Sequence, residues 1–146
     1  MSTSNEQTPL GVKYSVDKTF VAPDLYHLKK WHNIKYIRLT WLDLHNVARC
    51  RVLSLDYFER LLDTASGRPG VSVVGCVLGL VGLKVAKGFS VAENYLYVAD
   101  LSSMRLCPHA PGHAMLFGWF QNSQFGPEQP LEYDLCPRTL LVRQVS

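Results

Sequence analysis

The sequence predicts an α+β fold in which one main helix packs on a mixed sheet. Three observations carry this expectation: two alternating segments around a polar turn, an amphipathic run directly after them, and three later stretches of strand character. In chain order, residues 1–33 form an N-terminal arm of weak periodicity. Within it, Asp24 to Trp31 can make a short helix, with Asp24 as cap and Leu25, Leu28 and Trp31 on one side. Ile37, Leu39 and Trp41 then alternate with Arg38 and Thr40, the period of a half-buried strand. Asp43-Leu44-His45-Asn46 turns the chain, and Ala48, Cys50 and Val52 alternate with Arg49 and Arg51, completing a hairpin. This reading puts Ile37, Leu39, Trp41, Ala48, Cys50 and Val52 on the core side and the two arginines toward solvent.

Ser54 caps the main helix, whose apolar side is Leu55, Phe58, Leu61 and Leu62, with Asp56 and Glu59 suited to the positive end of the helix dipole. Ser66-Gly67-Arg68-Pro69-Gly70 ends it. Strands are expected at Val71 to Val74, Tyr95 to Ala99 and His113 to Phe120, the last bounded by Pro108 and Pro111. Gln121 to Gln129 contains Gly126-Pro127 and reads as a loop, and Pro137 to Val142 opens a final helix with proline in its first turn.

Composition narrows the function. At 146 residues, 47% hydrophobic and 18% charged, the chain is one folded domain with tails. The net charge of +3 is spread out, with only Lys29-Lys30 adjacent among the early lysines, so no basic stripe argues for nucleic acid. Cys50, Cys76, Cys107 and Cys136 lie 26, 31 and 29 residues apart, which gives no C-x-x-C pair. Met1 to Thr8 lacks the apolar core of a secretory signal, so reduced thiols in a cytoplasmic protein are expected. Val71 to Val85 is apolar and carries Gly75 and Gly79 at G-x-x-x-G spacing. At 15 residues it is too short to cross a bilayer, which takes about 20. It reads instead as a strand running into a glycine-punctuated loop.

Three motifs, taken together, carry a family resemblance. Trp41-Leu42-Asp43-Leu44 with Arg49-Cys50-Arg51-Val52 resembles the first hairpin of the amino-terminal β-grasp domain of glutamine synthetases. Asp100-Leu101-Ser102-Ser103-Met104-Arg105 followed by Pro111-Gly112-His113-Ala114 resembles that domain's later turn and strand entry. Glu132-Tyr133-Asp134 with Pro137-Arg138-Thr139-Leu140-Leu141 resembles the approach to the catalytic domain. The likeness runs from about Ile34 to Gln144 and is strongest to the bacterial-type branch that includes fungal glutamine-synthetase-like proteins. It implies a β-grasp domain over 34–136, with 137–146 as the truncated start of a linker helix to a catalytic domain that the chain lacks.

The family joins ammonia to glutamate with ATP, and its Mg or Mn ligands and ATP site lie in the catalytic domain. The resemblance therefore implies no catalytic, cofactor-binding or metal residue in this chain. It implies an assembly or interaction role, with itself or a full-length glutamine synthetase-like subunit as partner and neither nucleic acid nor membrane. The alternatives are the first domain of an active glutamate–ammonia ligase with an incomplete gene model, and a free-standing β-grasp binding or regulatory protein. In the family one loop of this domain carries an acidic residue that helps hold ammonium. Here no Asp or Glu occurs from Thr64 to Ala92, and the matching region reads Gly75-Cys76-Val77-Leu78-Gly79-Leu80-Val81-Gly82, unless Glu93 takes that place. Other chemistry is thin. His109 and His113 lack a third ligand, Ser102-Ser103 has no base beside it, Asp100 reads as a turn former, and Trp31, Trp41 and Trp119 as core or interface anchors.

Overall fold

The computed structural model describes residues 33–63, 68–124 and 131–145. The expected helix at Asp24 to Trp31, and with it Trp31, lies outside the described residues. Strands β1 (Tyr36–Leu42) and β2 (Ala48–Ser54) form the hairpin, and α1 (Leu55–Leu62) follows at once. Next come β3 (Gly70–Val74), a 3₁₀ turn at Gly75–Leu78, and the two-residue strands β4 (Leu80–Val81) and β5 (Lys84–Val85). After β6 (Asn94–Ala99), β7 (Arg105–Leu106), β8 (His113–Leu116) and β9 (Gly118–Asn122), the last element is helix α2 (Pro137–Val145).

The α+β expectation holds, with the strands divided between two main sheets. One is mixed, in the order β2-β1-β8-β7, with β1 and β8 parallel and the other pairs antiparallel; the second is antiparallel, β3-β6-β9. The expected single strand from His113 to Phe120 is in fact two, one in each sheet, joined through Phe117. Gly118 permits the change of sheet, because a Cβ there would run into the Val98 carbonyl oxygen. At the other side of the domain Arg51 Nη1 donates to the Ser72 carbonyl at 2.9 Å, tying β2 to β3.

Helix α1 is capped as its sequence suggests: Ser54 Oγ accepts from Tyr57 N at 3.3 Å, and Asp56 lies in the first turn. Its Leu55 and Phe58 are buried, and Leu61 and Leu62 pack against the core at its margin. The core itself runs between the sheets, from Ile37 and Leu39 through Leu116 and Ala114 to Val73, Tyr97 and Phe120.

The hairpin register differs from expectation by one residue. Trp41 pairs with Arg49, Leu39 with Arg51 and Ile37 with Leu53. Cross-strand partners share a face, so Leu53, and not Val52, joins Ile37 and Leu39 in the core. Cys50 and Ala48 are exposed and Val52 is 45% exposed. The arginines lie on the inward side at the sheet's edge, Arg51 on Ser72 and Arg49 with its Nε 2.8 Å from Asp43 Oδ2. The five-residue turn fixes this register. The buried Asp43 carboxylate accepts from the backbone N–H of His45 and of Val47, both at 2.9 Å. Burial works against its charge, but these bonds and Arg49 outweigh it and hold its pKa below the usual carboxylate value. Cys50→Asp is accordingly expected to shift stability by no more than about 0.5 kcal/mol. A fall in melting temperature beyond about 8 °C would restore the buried-cysteine register.

Candidate functional site

Two apolar features stand out, and both lie toward the β1–β2 turn. The first is a cleft of about 290 Å³ where the sheets meet α2. Its inner wall is an aromatic trio, Trp41, Tyr97 and Phe120, with ring centroids 5.3, 6.0 and 4.6 Å apart. Leu42, Phe117 and Leu141 stand around it, and Leu141 is 64% exposed. The Tyr97 hydroxyl bridges the sheets: it donates to the Thr40 carbonyl at 2.6 Å and accepts from Gly118 N at 2.7 Å. Burial pushes its pKa well above the tyrosine range, so the bridge stays protonated. The Cys136 thiol accepts from Phe120 N at 3.4 Å.

Arg138 pins α2 beside this cleft. Its guanidinium lies 4.1 Å from the centroid of the Trp119 ring, reaches Asp100 Oδ2 at 2.9 Å and donates to the Gly118 carbonyl at 3.3 Å. Asp100 also accepts from the N–H and hydroxyl of Ser102, so its pKa is held low despite partial burial. Asp100 is thus a turn residue, as the sequence suggests; contrary to the expectation for Ser102-Ser103, the Ser102 hydroxyl does have a carboxylate beside it, that of Asp100, which the Arg138 strap already engages.

The second feature is the β4–β5 hairpin. Leu80 pairs with Val85 and Val81 with Lys84, leaving Gly82 and Leu83 as a two-residue turn. Gly82 has φ +57° at the first turn position, where a glycine suits a tight hairpin. Leu83 is fully exposed at the tip and Val81 is largely exposed, whereas Leu78 at the base is fully buried. The glycine-punctuated apolar loop is therefore anchored at Leu78 and Val77 and exposed toward its apex.

Glu93 lies beside the 3₁₀ turn, its carbonyl accepting from Gly75 N at 2.9 Å. Its carboxylate takes the Tyr95 hydroxyl at 2.5 Å, and the Tyr95 ring stacks on Tyr133 at 3.9 Å. Burial, followed by Glu93, raises the Tyr95 pKa. His113 stacks on Tyr36 at 4.8 Å and accepts from Arg38 Nε at 3.3 Å. Among the described residues no three His, Cys, Asp or Glu side chains converge to hold a metal. Sequence reasoning missed the roles of Tyr97 and Gly118 and the pairing of β4 with β5. The signals were there in Gly118, which interrupts an apolar run, and in Gly82 between Val81 and Leu83.

No protein-family model matches the chain. Type-1 glutamine synthetase 1 of Dictyostelium discoideum is 23% identical over 150 residues, and the match takes in the whole of this chain. The chain is thus similar in sequence to that glutamine synthetase along its whole length. It spans 29% of the length of that glutamine synthetase, less than a third. Two solved structures share its fold. Apo GmaS without ligand superposes with a TM-score of 0.59 at 18% identity, over 83% of this chain and 25% of that one. GmaS in its ADP complex gives 0.54 at 17% identity, over 70% and 21%. The domain thus shares the overall fold of these structures, and its segment from Gly75 to Gly82 carries no carboxylate.

Proposed function

We propose that this chain is a non-catalytic assembly or interaction domain of glutamine synthetase type, which associates with copies of itself or with full-length glutamine synthetase-like subunits. The observation that carries this reading is the ordered hairpin whose tip leucine, Leu83, is fully exposed. An apolar side chain held out on a pre-formed turn loses little freedom on docking, so its burial converts efficiently into affinity. The described residues do not fit an ATP and metal centre, since no carboxylate trio converges and no phosphate-cradling loop is present among them. Four free thiols suit a reducing, cytoplasmic setting; among the described residues no helix is long and apolar enough to cross a membrane.

The purified chain, given glutamate, ATP, ammonium and magnesium, is expected to form no more glutamine than a heat-killed control, and to show association in light scattering alone or with a full-length glutamine synthetase. Glutamine above the control would overturn the non-catalytic part. A chain that scatters as a monomer with and without the full-length enzyme would overturn the interaction part. The match of the whole chain to 29% of a longer glutamine synthetase favours a second reading, the first domain of an ATP-dependent glutamate–ammonia ligase whose Mg or Mn site lies elsewhere.

A further inference from the structure

We propose that His113 is an acid-sensitive latch on the parallel seam between β1 and β8. Its neutral imidazole holds the seam shut, and its protonation releases the entry end of β8. His113 is the first residue of that seam, paired with Tyr36, and the ladder continues from Ile37 with Ala114 to Leu39 with Leu116. Just before it, the Gly112 carbonyl accepts from Lys35 N at 2.8 Å and from Tyr36 N at 3.1 Å. The inner side of the seam is core, with Ile37 and Ala114 both fully buried. On the outer side the imidazole makes two contacts to β1. Its ring lies on Tyr36 with centroids 4.8 Å and planes 24° apart, and its Nδ1 accepts from Arg38 Nε at 3.3 Å.

The second contact exists in one protonation state only. Arg38 is a permanent cation that can only donate, so Nδ1 has to be bare. A proton there turns the acceptor into a donor and sets an imidazolium against a guanidinium. No carboxylate offsets that repulsion. The four strands of this sheet contain no Asp or Glu, and among the described residues neither Arg38 nor His113 has a carboxylate partner. The ionisable groups around the imidazole are Tyr36 and Arg38 on β1, Cys50 on β2 beyond Arg38, Arg105 on β7, and Cys107 and His109 in the turn before β8. Burial first, then the charges of Arg38 and His109, hold the imidazole's pKa below its ordinary value. The Cys107 thiol, pushed up by burial, brings no negative charge.

Once the seam opens, His113 regains the ordinary histidine value of about 6.5. The open form therefore takes its proton at a higher pH than the closed one. The latch is fully engaged above that value and weakens as the pH falls through it toward the lower pKa of the closed form. Asp43 and Asp100, both held below the usual carboxylate range, keep their charges throughout this window.

Hydrogen exchange of the full chain from about pH 7.5 to about pH 5, read as protection factors at the Lys35 and Tyr36 amides, tests the latch. In the parent, protection there is expected to fall at least about threefold, with the His113 imidazole titrating below about 6.5 by NMR. His113→Gln keeps an acceptor for Arg38 Nε but has no proton to gain, so its protection should stay level over the same range. Arg38→Met should move the His113 titration upward toward the ordinary value. Parent protection that ignores pH, or an equal fall in His113→Gln, would overturn the latch. So would a His113 titration at or above the ordinary value, or one that Arg38→Met leaves unmoved. Should either substitution unfold the chain, the parent's titration and protection profile decide alone.

Discussion

Gly118→Ala is expected to destabilise the domain by roughly 3–5 kcal/mol, toward the upper end of single-substitution effects. The added methyl would meet the backbone oxygen of Val98 and, at 3.0 Å, the Tyr97 ring. Neither can step aside. Val98 pairs with Trp119 in the ladder between β6 and β9, and Tyr97 is 1% exposed and wedged between Trp41 and Phe120. Relief would require β9 to move off β6, which breaks ladder bonds and lifts Gly118 N from the Tyr97 hydroxyl. Urea unfolding would measure the effect. A loss below about 1 kcal/mol would mean that the sheets part easily and that Gly118 is no fixed crossing point.

Tyr97→Phe comes second in size, at about 2–4 kcal/mol. The ring and its packing survive, so the experiment isolates the hydroxyl. Its removal leaves the Gly118 N–H and the Thr40 carbonyl without a partner at the junction of the two sheets, and each buried polar group so stranded costs about 1–3 kcal/mol. The variant should retain the far-ultraviolet signature of the parent while its denaturation midpoint falls. An unchanged midpoint would show that water reaches the junction and replaces the phenol.

The sequence carried the fold class and the helix well, because those rest on local chemistry. Ser54 followed by Leu55, Asp56 and Phe58 announces a capped amphipathic helix with no help from distant residues. Register was another matter. Alternation on β2 fits either face, and the deciding contacts are the three hydrogen bonds gathered by Asp43 and the reach of Arg51 to Ser72, across 21 residues. The His113 to Asn122 stretch looks continuous as a pattern, and only the proximity of Val98 to Gly118 reveals that it serves two sheets. The cleft was hidden for the same reason. Trp41, Tyr97 and Phe120 are 56 and 23 residues apart in sequence and meet only once both sheets exist. The hairpin tip could have been read from Val81-Gly82-Leu83-Lys84, but the apolar density around it masked the turn.

The parallel pairing of β1 with β8 has a kinetic meaning. Tyr36 and His113 are partners separated by 77 positions, and the span between them holds α1 and two strands of the other sheet, β3 and β6. During synthesis β1 emerges with β2 and α1, yet its second edge stays bare until residues 113–116 have left the ribosome. Loop closure over such a span is slow relative to hairpin formation. The expected order of assembly is hairpin and α1 first, the β3–β6 pair next, and both sheets together at the end, when one short segment supplies β8 to the first and β9 to the second. Until that moment the incomplete chain displays an unpaired strand edge lined by Ile37 and Leu39, the kind of surface on which nascent chains aggregate and chaperones act.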